Sequence, residues 1–150
     1  MSNPASTVRL HRVFKAPAKR VYKAFVNADA KAQWLPPYGF TCKVHEFDPR
    51  VGGKYKMSFT NFTNDHSHSF GGEFVELQPE KLIKYADRFD DPNLPGEMMV
   101  TITFRETMGL TEVNITQENI PSMIPVEMCY LGWNESLMKL ANLVEPEINQ

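Results

Sequence analysis

The sequence predicts an α+β protein in which a curved antiparallel sheet of about seven strands wraps around a long C-terminal helix. Three patterns indicate this class: an alternating segment followed by two short helical patterns, a middle region of short alternating runs, and a last segment with helical spacing. The predicted order is β-α-α-β-β-β-β-β-β-α. With 150 residues we expect one domain, 1–150, with its core over about 7–145.

The N-terminal end predicts one strand and two helices. Thr7–Phe14 alternates apolar and polar residues, and Pro17 lies where a first helical turn tolerates proline. Residues 21–28 have the spacing of an amphipathic helix. Asp29 is predicted to cap a second short helix that carries Trp34, and two adjacent prolines end it.

Six further strands are predicted in the middle of the chain. Turn-forming clusters such as DPRVGG, TNDHS and DDPNLPG separate runs rich in β-branched and aromatic residues, so most neighbours in sequence should pair as hairpins. The predicted strands are Phe40–Phe47, Lys54–Thr60, Phe70–Leu77, Lys81–Phe89, Met98–Arg105 and Leu110–Gln117.

The last segment predicts the longest helix, which begins at Ser122 or Pro125 and ends before Pro146. One helix cannot fill the inner side of a strongly curled sheet, so a cavity between sheet and helix is the expected place for function. The alternative is that large side chains, ten phenylalanines among them, fill this space. In that case the domain would act through its outer surface.

Composition excludes two classes of partner. The formal net charge is −2, which does not provide the basic face that nucleic acid binding requires. No window approaches the roughly 20 apolar residues of a membrane span, and we expect a cytoplasmic protein. Cys42 and Cys129 are the only cysteines, and two free thiols are favoured over a disulfide.

The adjacent glycines Gly52 and Gly53 raise the possibility of a phosphate-binding loop. Such a loop opens a helix, whose N–H groups bind the anion, whereas a strand pattern follows here. We therefore predict a turn or bulge in which one glycine has a positive φ and Asp48 bonds nearby backbone amides.

Five segments occur in an order that carries information about the family: VFKAPAKRVYKAFVNADAKAQW, FDPRVGGKYKM, GGEFVELQPEKLIKYADRF, VTITF followed by TEVNITQENIP, and GWNESLMKLANLV. From about Val8 to Val144 they resemble the activator of heat-shock-protein-90 ATPase homologue family within the START-like (SRPBCC, helix-grip) superfamily. The resemblance implies a helix-grip fold with a cavity and a possible chaperone partner. Family proteins that stimulate the chaperone ATPase usually carry a further N-terminal domain, and this chain begins almost directly at its first predicted strand.

The expected function is binding of a small hydrophobic molecule between sheet and C-terminal helix, by a monomer or a homodimer and without a cofactor. Two alternatives remain open: a chaperone-associated interaction module, and a cyclase- or hydratase-type enzyme that uses an acid or base in the cavity. The predicted lining residues are Tyr55, Met57, Phe59, Phe74, Tyr85, Phe89, Ile102, Phe104, Trp133 and Leu137, with Trp34 and Phe40 at the mouth.

Asp87 is the candidate catalytic carboxylate, because it shares strand parity with Tyr85 and Phe89 and points inwards if they do. The alternative is an outward carboxylate paired with a neighbouring cation. The histidines of NDHSHS lack a third metal ligand and are interpreted as part of a solvated loop, so no metal site is predicted. No serine or cysteine lies in a nucleophile signature.

Overall fold

The sheet of this computed structural model, which describes residues 5–150, contains seven antiparallel strands in the order β1-β7-β6-β5-β4-β3-β2. The predicted fold class and order of elements are confirmed. Residues 1–4, which the predicted 1–150 domain includes, lie outside the described residues. The strands are β1 Ser6–Phe14, β2 Phe40–Phe47, β3 Lys54–Asn61, β4 Ser67–Gln78, β5 Leu82–Phe89, β6 Met98–Thr107 and β7 Leu110–Ile120.

Six of the strands form a meander, and β1 pairs with β7 to complete the sheet. The predicted strand boundaries hold to within one to three residues. The largest differences are three residues each: β7 ends at Ile120 rather than Gln117, and β4 begins at Ser67 rather than Phe70. The early start of β4 follows from its pairing with β3, which continues back to Thr60 opposite Ser67. This extension places His68 in a strand rather than in the solvated loop.

The three helices are α1 Ala18–Val26, α2 Ala28–Trp34 and α3 Val126–Val144. The prediction that Asp29 caps α2 is wrong. Asn27 is the N-cap, and its Oδ1 accepts a hydrogen bond of 2.9 Å from the Ala30 N–H. Since the cap must precede the first helical residue, Asp29 instead lies in the first turn, where a negative charge also favours the helix.

The turn before β3 has the predicted glycine geometry, because Gly52 has a φ of +83°. The expected role of Asp48 differs: its carboxylate accepts a hydrogen bond of 2.7 Å from Arg50 Nε rather than from backbone amides. Gly53 is followed directly by β3, so no helix N-terminus is available to bind a phosphate.

The main core lies between the sheet, α1, α2 and the C-terminal half of α3, and includes Phe25, Phe74 and Leu140. A smaller cluster of Val8, Met98 and Ile120 packs against partly buried residues of the N-terminal half of α3. The C-terminal half of α3 therefore lies in the main core, whereas the N-terminal half packs on the smaller cluster, and Trp133 contacts both.

Long-range hydrogen bonds fix the ends of the helix layer. The Arg20 Nε donates to the Val144 carbonyl at the end of α3, over 2.6 Å, and the buried Thr111 hydroxyl donates to the Ala16 carbonyl over 2.7 Å. Cys42 and Cys129 are both free thiols. Within residues 5–150, every helix is too short or too polar to cross a membrane.

Candidate functional site

A cavity of about 450 Å³ lies between the sheet, α2 and the N-terminal half of α3. Aromatic and aliphatic side chains form most of its wall. It is lined by Lys31, Leu35, Pro37, Phe40, Tyr55, Phe59, His68, Phe70, Tyr85, Asp87, Phe89, Val100, Gln117, Ile124, Met128, Cys129, Gly132, Trp133 and Ser136.

One end of the wall is an aromatic cluster from β2, β3 and β4. Phe59 packs edge-on against Phe70 with ring centroids 4.8 Å apart, and its centroid lies 6.5 Å from that of Phe40. His68 lies edge-on to Phe59 at 5.8 Å, and partial burial of its ring lowers its pKa although the residue as a whole reaches solvent. His68 and Met128 are exposed residues, and they mark where the cavity reaches the surface.

A row of residues across three strands brings the polar groups of the sheet together. Tyr55 on β3 is paired with Gly72 on β4, and Gly72 is paired with Asp87 on β5. Because Gly72 has no side chain, the Tyr55 hydroxyl reaches across β4 and donates to Asp87 Oδ1 over 2.6 Å. The same hydroxyl lies 3.0 Å from the Ala86 carbonyl oxygen.

Lys31 enters the same region from α2. It is 2% exposed, and its Nζ lies 4.7 Å from the ring centroid of Tyr85 and 5.7 Å from that of Tyr55. No hydrogen bond or ion pair joins this ammonium to another of the described residues, and since none of their fully buried side-chain nitrogens or oxygens lacks a partner, the Nζ is accessible from the cavity. The side chain is stabilised by the two aromatic faces and by the more distant charge of Asp87.

Burial shifts the pKa values of Asp87 and Lys31 in the directions that favour their uncharged forms. It raises the pKa of Asp87 to about 6, although the Tyr55 hydrogen bond and the Lys31 charge oppose the change. Burial likewise lowers the pKa of Lys31 to about 8, opposed by Asp87 and Cys42. Burial also raises the pKa of Tyr55 and of Tyr85, so both phenols are neutral. At pH 7 this end of the cavity holds one positive and one negative charge.

Two further polar groups of the wall, on Trp133 and Ser136, already have protein partners. The Trp133 Nε1 donates to Gln117 Oε1 over 2.8 Å, and the Ser136 hydroxyl donates to the Leu35 carbonyl over 2.6 Å. Burial raises the pKa of Cys129, which keeps it a thiol rather than a nucleophilic thiolate. Lys31 and Asp87 are therefore the charged groups left to meet a ligand.

The structure separates the predicted lining residues into two groups. Half of them line the cavity: Phe40, Tyr55, Phe59, Tyr85, Phe89 and Trp133. The other half belong to the buried core beside it: Trp34, Met57, Phe74, Ile102, Phe104 and Leu137. Trp34 anchors the helix pair instead of lying at the mouth, since its Nε1 donates to the Ala24 carbonyl over 2.8 Å.

The parity argument for Asp87 agrees with the structure, because Tyr85, Asp87 and Phe89 all line the cavity. Sequence reasoning missed Lys31, whose position between two alanines of a short helix has no pattern that distinguishes it from a solvated lysine. It also missed the cavity positions of His68 and Gln117. His11 lies beside Glu112, and the His45 Nε2 is 2.9 Å from the Ser58 hydroxyl. Within residues 5–150, no group of three potential metal ligands is found.

Comparison with known proteins gives one strong similarity and several more distant ones. A family model described as Activator of Hsp90 ATPase homolog 1-like protein matches residues 15–145. The chain is also similar to a protein of Chromobacterium violaceum of known crystal structure, with 55% identity and a TM-score of 0.93. That similarity covers 94% of this chain and 98% of the other.

Two more distant structures share the fold. A Rhodobacter sphaeroides protein is 18% identical with a TM-score of 0.82, covering 94% of each chain. A Staphylococcus epidermidis protein is 20% identical with a TM-score of 0.79, covering 99% of this chain and 96% of the other. No curated protein matches the chain.

Proposed function

We propose that this chain, which belongs to the Activator of Hsp90 ATPase homolog 1-like family, binds a small, largely apolar molecule in the cavity between its sheet and α3. Both the family and the helix-grip fold are compatible with ligand binding and with chaperone-related roles. The observation that carries the proposal is the shape and chemistry of the cavity. Its volume of about 450 Å³ is typical of small-molecule sites, and its free charged groups are gathered at one end of an apolar wall.

The apolar wall supplies affinity, and the polar end supplies orientation. Each Å² of apolar surface removed from water contributes roughly 25 cal/mol, so a ligand that covers Phe59, Phe89 and Trp133 gains most of its binding free energy there. Met128 adds an unbranched, polarisable side chain that can repack around ligands of different shape.

Gly132 provides a direct test. It lines the cavity, and a Cβ added there would have no heavy atom within 4 Å, so a larger side chain would extend into the free space. We expect native mass spectrometry to show a retained small molecule, or a thermal-shift screen to find apolar ligands, and Gly132→Leu to weaken that binding at least about tenfold. Asn134→Leu, on an exposed position of the same helix, is the matched control and should leave binding unchanged.

Two results would contradict the proposal. In the first, the wild type binds none of the apolar and aromatic compounds, which would favour a chaperone-related role of the outer surface. The other is equal binding by the wild type and Gly132→Leu, which would place the ligand elsewhere on the molecule.

An enzymatic use of the same cavity is the second candidate, and the Asp87 carboxylate favours it. A carboxyl with a pKa of about 6, close to a buried lysine with a pKa of about 8, has the properties of a general acid or base near neutral pH. The chemical identity of the ligand recovered after incubation, read by its mass and its NMR spectrum, distinguishes the two functions. A changed compound that depends on Asp87 supports catalysis, including a cyclisation that conserves mass, whereas an unchanged compound supports binding alone.

A further inference from the structure

The charged end of the cavity restricts the polar group that a ligand can bring to it. The Lys31 side chain is 2% exposed, and no hydrogen bond from its ammonium to a protein acceptor is found among the described residues. Since no fully buried side-chain nitrogen or oxygen of these residues lacks a partner, the ammonium keeps access to the cavity, and a ligand that displaces cavity water must offer it an acceptor, because an unpaired buried cation is costly. Asp87 accepts from the Tyr55 hydroxyl, and a carboxylate can accept several further hydrogen bonds. The charged groups that the free cavity presents are therefore one donor, Lys31, and one acceptor, Asp87.

A charged ligand group would be repelled by one of these two charged side chains. A carboxylate next to Lys31 would bring a second negative charge close to Asp87, and two anions in a poorly solvated space repel each other strongly. An ammonium next to Asp87 would in the same way be repelled by Lys31. An uncharged hydroxyl satisfies both groups, since its oxygen can accept from Lys31 while its proton is donated to Asp87.

Resting on the proposed function, we infer that the ligand is an uncharged molecule with an apolar body and a hydroxyl group, a phenol or an alcohol, that bridges Lys31 and Asp87. The neutral phenols of Tyr55 and Tyr85 complete the surroundings of this hydroxyl without adding charge. The aromatic wall of Phe59, Phe70 and Phe89 then contacts the apolar body.

Three probes with the same apolar body test the inference: 4-butylphenol, butylbenzene and 4-butylbenzoate, titrated into the full chain at pH 7 by calorimetry. We expect 4-butylphenol to bind about tenfold more tightly than butylbenzene, because hydrogen bonds to charged groups are added, and 4-butylbenzoate to bind most weakly. Equal affinity for the phenol and the hydrocarbon, or tightest binding of the benzoate, overturns the inference while cavity binding stands. A lack of binding by all three probes contradicts the proposed function itself.

Two variants separate the roles of the charges. Lys31→Met should reduce the preference for the phenol to about twofold or less while the affinity for butylbenzene is retained, and Lys23→Met on the exposed face of α1 is the matched control. Asp87→Asn keeps the side-chain size but leaves Lys31 without a nearby anion, so 4-butylbenzoate should gain about tenfold or more in affinity. An unchanged ranking of the three probes in both variants overturns the inference.

Discussion

Lys31 and Asp87 reach the cavity from different layers of the fold, Lys31 from α2 and Asp87 from β5. Strand parity ties Asp87 to its aromatic neighbours, and for this reason its direction could be predicted once Tyr85 and Phe89 were assumed to point inwards. No such rule applies to Lys31. Whether a helical lysine is solvated or buried depends on the layer packed over it, and that is a property of the tertiary structure.

The first prediction concerns the pH dependence of stability. The pKa of Asp87 is about 6 in the folded protein against an ordinary value of 3.8, so the folded state holds this proton more strongly than the unfolded state. Its contribution to the free energy of unfolding is fully present below pH 3.8 and is lost as the pH rises through about 6. Asp87→Asn should therefore gain stability relative to the wild type as the pH rises from about 4 through 6, and the difference should level off above about pH 7.

Chemical denaturation at a series of pH values measures this difference, and Asp90→Asn is a control of opposite sign. Lys56 and Ser69 lower the pKa of the exposed Asp90 carboxylate, so its contribution is lost as the pH falls. A difference between Asp87→Asn and the wild type that shrinks as the pH rises from 4 to 6 would contradict the assigned direction for Asp87. The other titratable groups around Asp87 at this end of the cavity are Lys31, Tyr55, Tyr85 and Cys42.

At the scale of elements, periodicity explains why the strands and long helix were predictable. Alternation over eight to twelve residues defines each strand independently of its neighbours, whereas strand ends depend on pairing, as the early start of β4 shows. Whether a side chain lines the cavity likewise depends on tertiary packing. Met57 and Tyr55 share a face of β3, but of the two only Tyr55 lines the cavity, because Met57 is fully buried in the main core.

The second prediction separates two glycines that sequence alone does not distinguish. Gly132 lies in α3 with free space where a methyl group would be added, so Gly132→Ala should raise the free energy of unfolding by up to about 1 kcal/mol through helix propensity. Gly72 differs, because a Cβ there would lie 1.9 Å from the Ala86 carbonyl oxygen. Gly72→Ala should lower stability and move the strands that hold Tyr55 and Asp87 apart.

Thermal and urea unfolding of both variants check this contrast. Destabilisation by Gly132→Ala would mean that the helix backbone or the cavity at this position cannot accept a methyl group. A neutral Gly72→Ala would remove the explanation given for how Tyr55 reaches across β4.

At the scale of the molecule, the cavity lies between the two cores, where Phe89 and Trp133 line it and pack against both. The C-terminal half of α3 is held in the main core by Leu137, Leu140 and Val144, and Arg20 binds the end of the helix. The N-terminal half contributes only partly buried residues to the smaller cluster, namely Val126, Cys129, Tyr130 and Trp133. Local stability should therefore fall along α3 towards its N-terminus, which also lines the cavity.

The last prediction follows from this gradient. Native-state hydrogen exchange should show faster exchange for amides of residues 129–134 than for those of residues 138–144, because fewer buried contacts hold the first turns of α3. A bound cavity ligand adds contacts to Trp133 and Met128, so saturating 4-butylphenol should slow exchange in the N-terminal half of α3 and in the α2–β2 loop over 35–39. The pairing of β1 with β7 touches the cavity only at Gln117 among the described residues and should be little affected. Uniform exchange along α3 would contradict the difference in burial between its two halves. Equal protection of every element on binding would show that the ligand acts through global stability and not through the N-terminal half of α3.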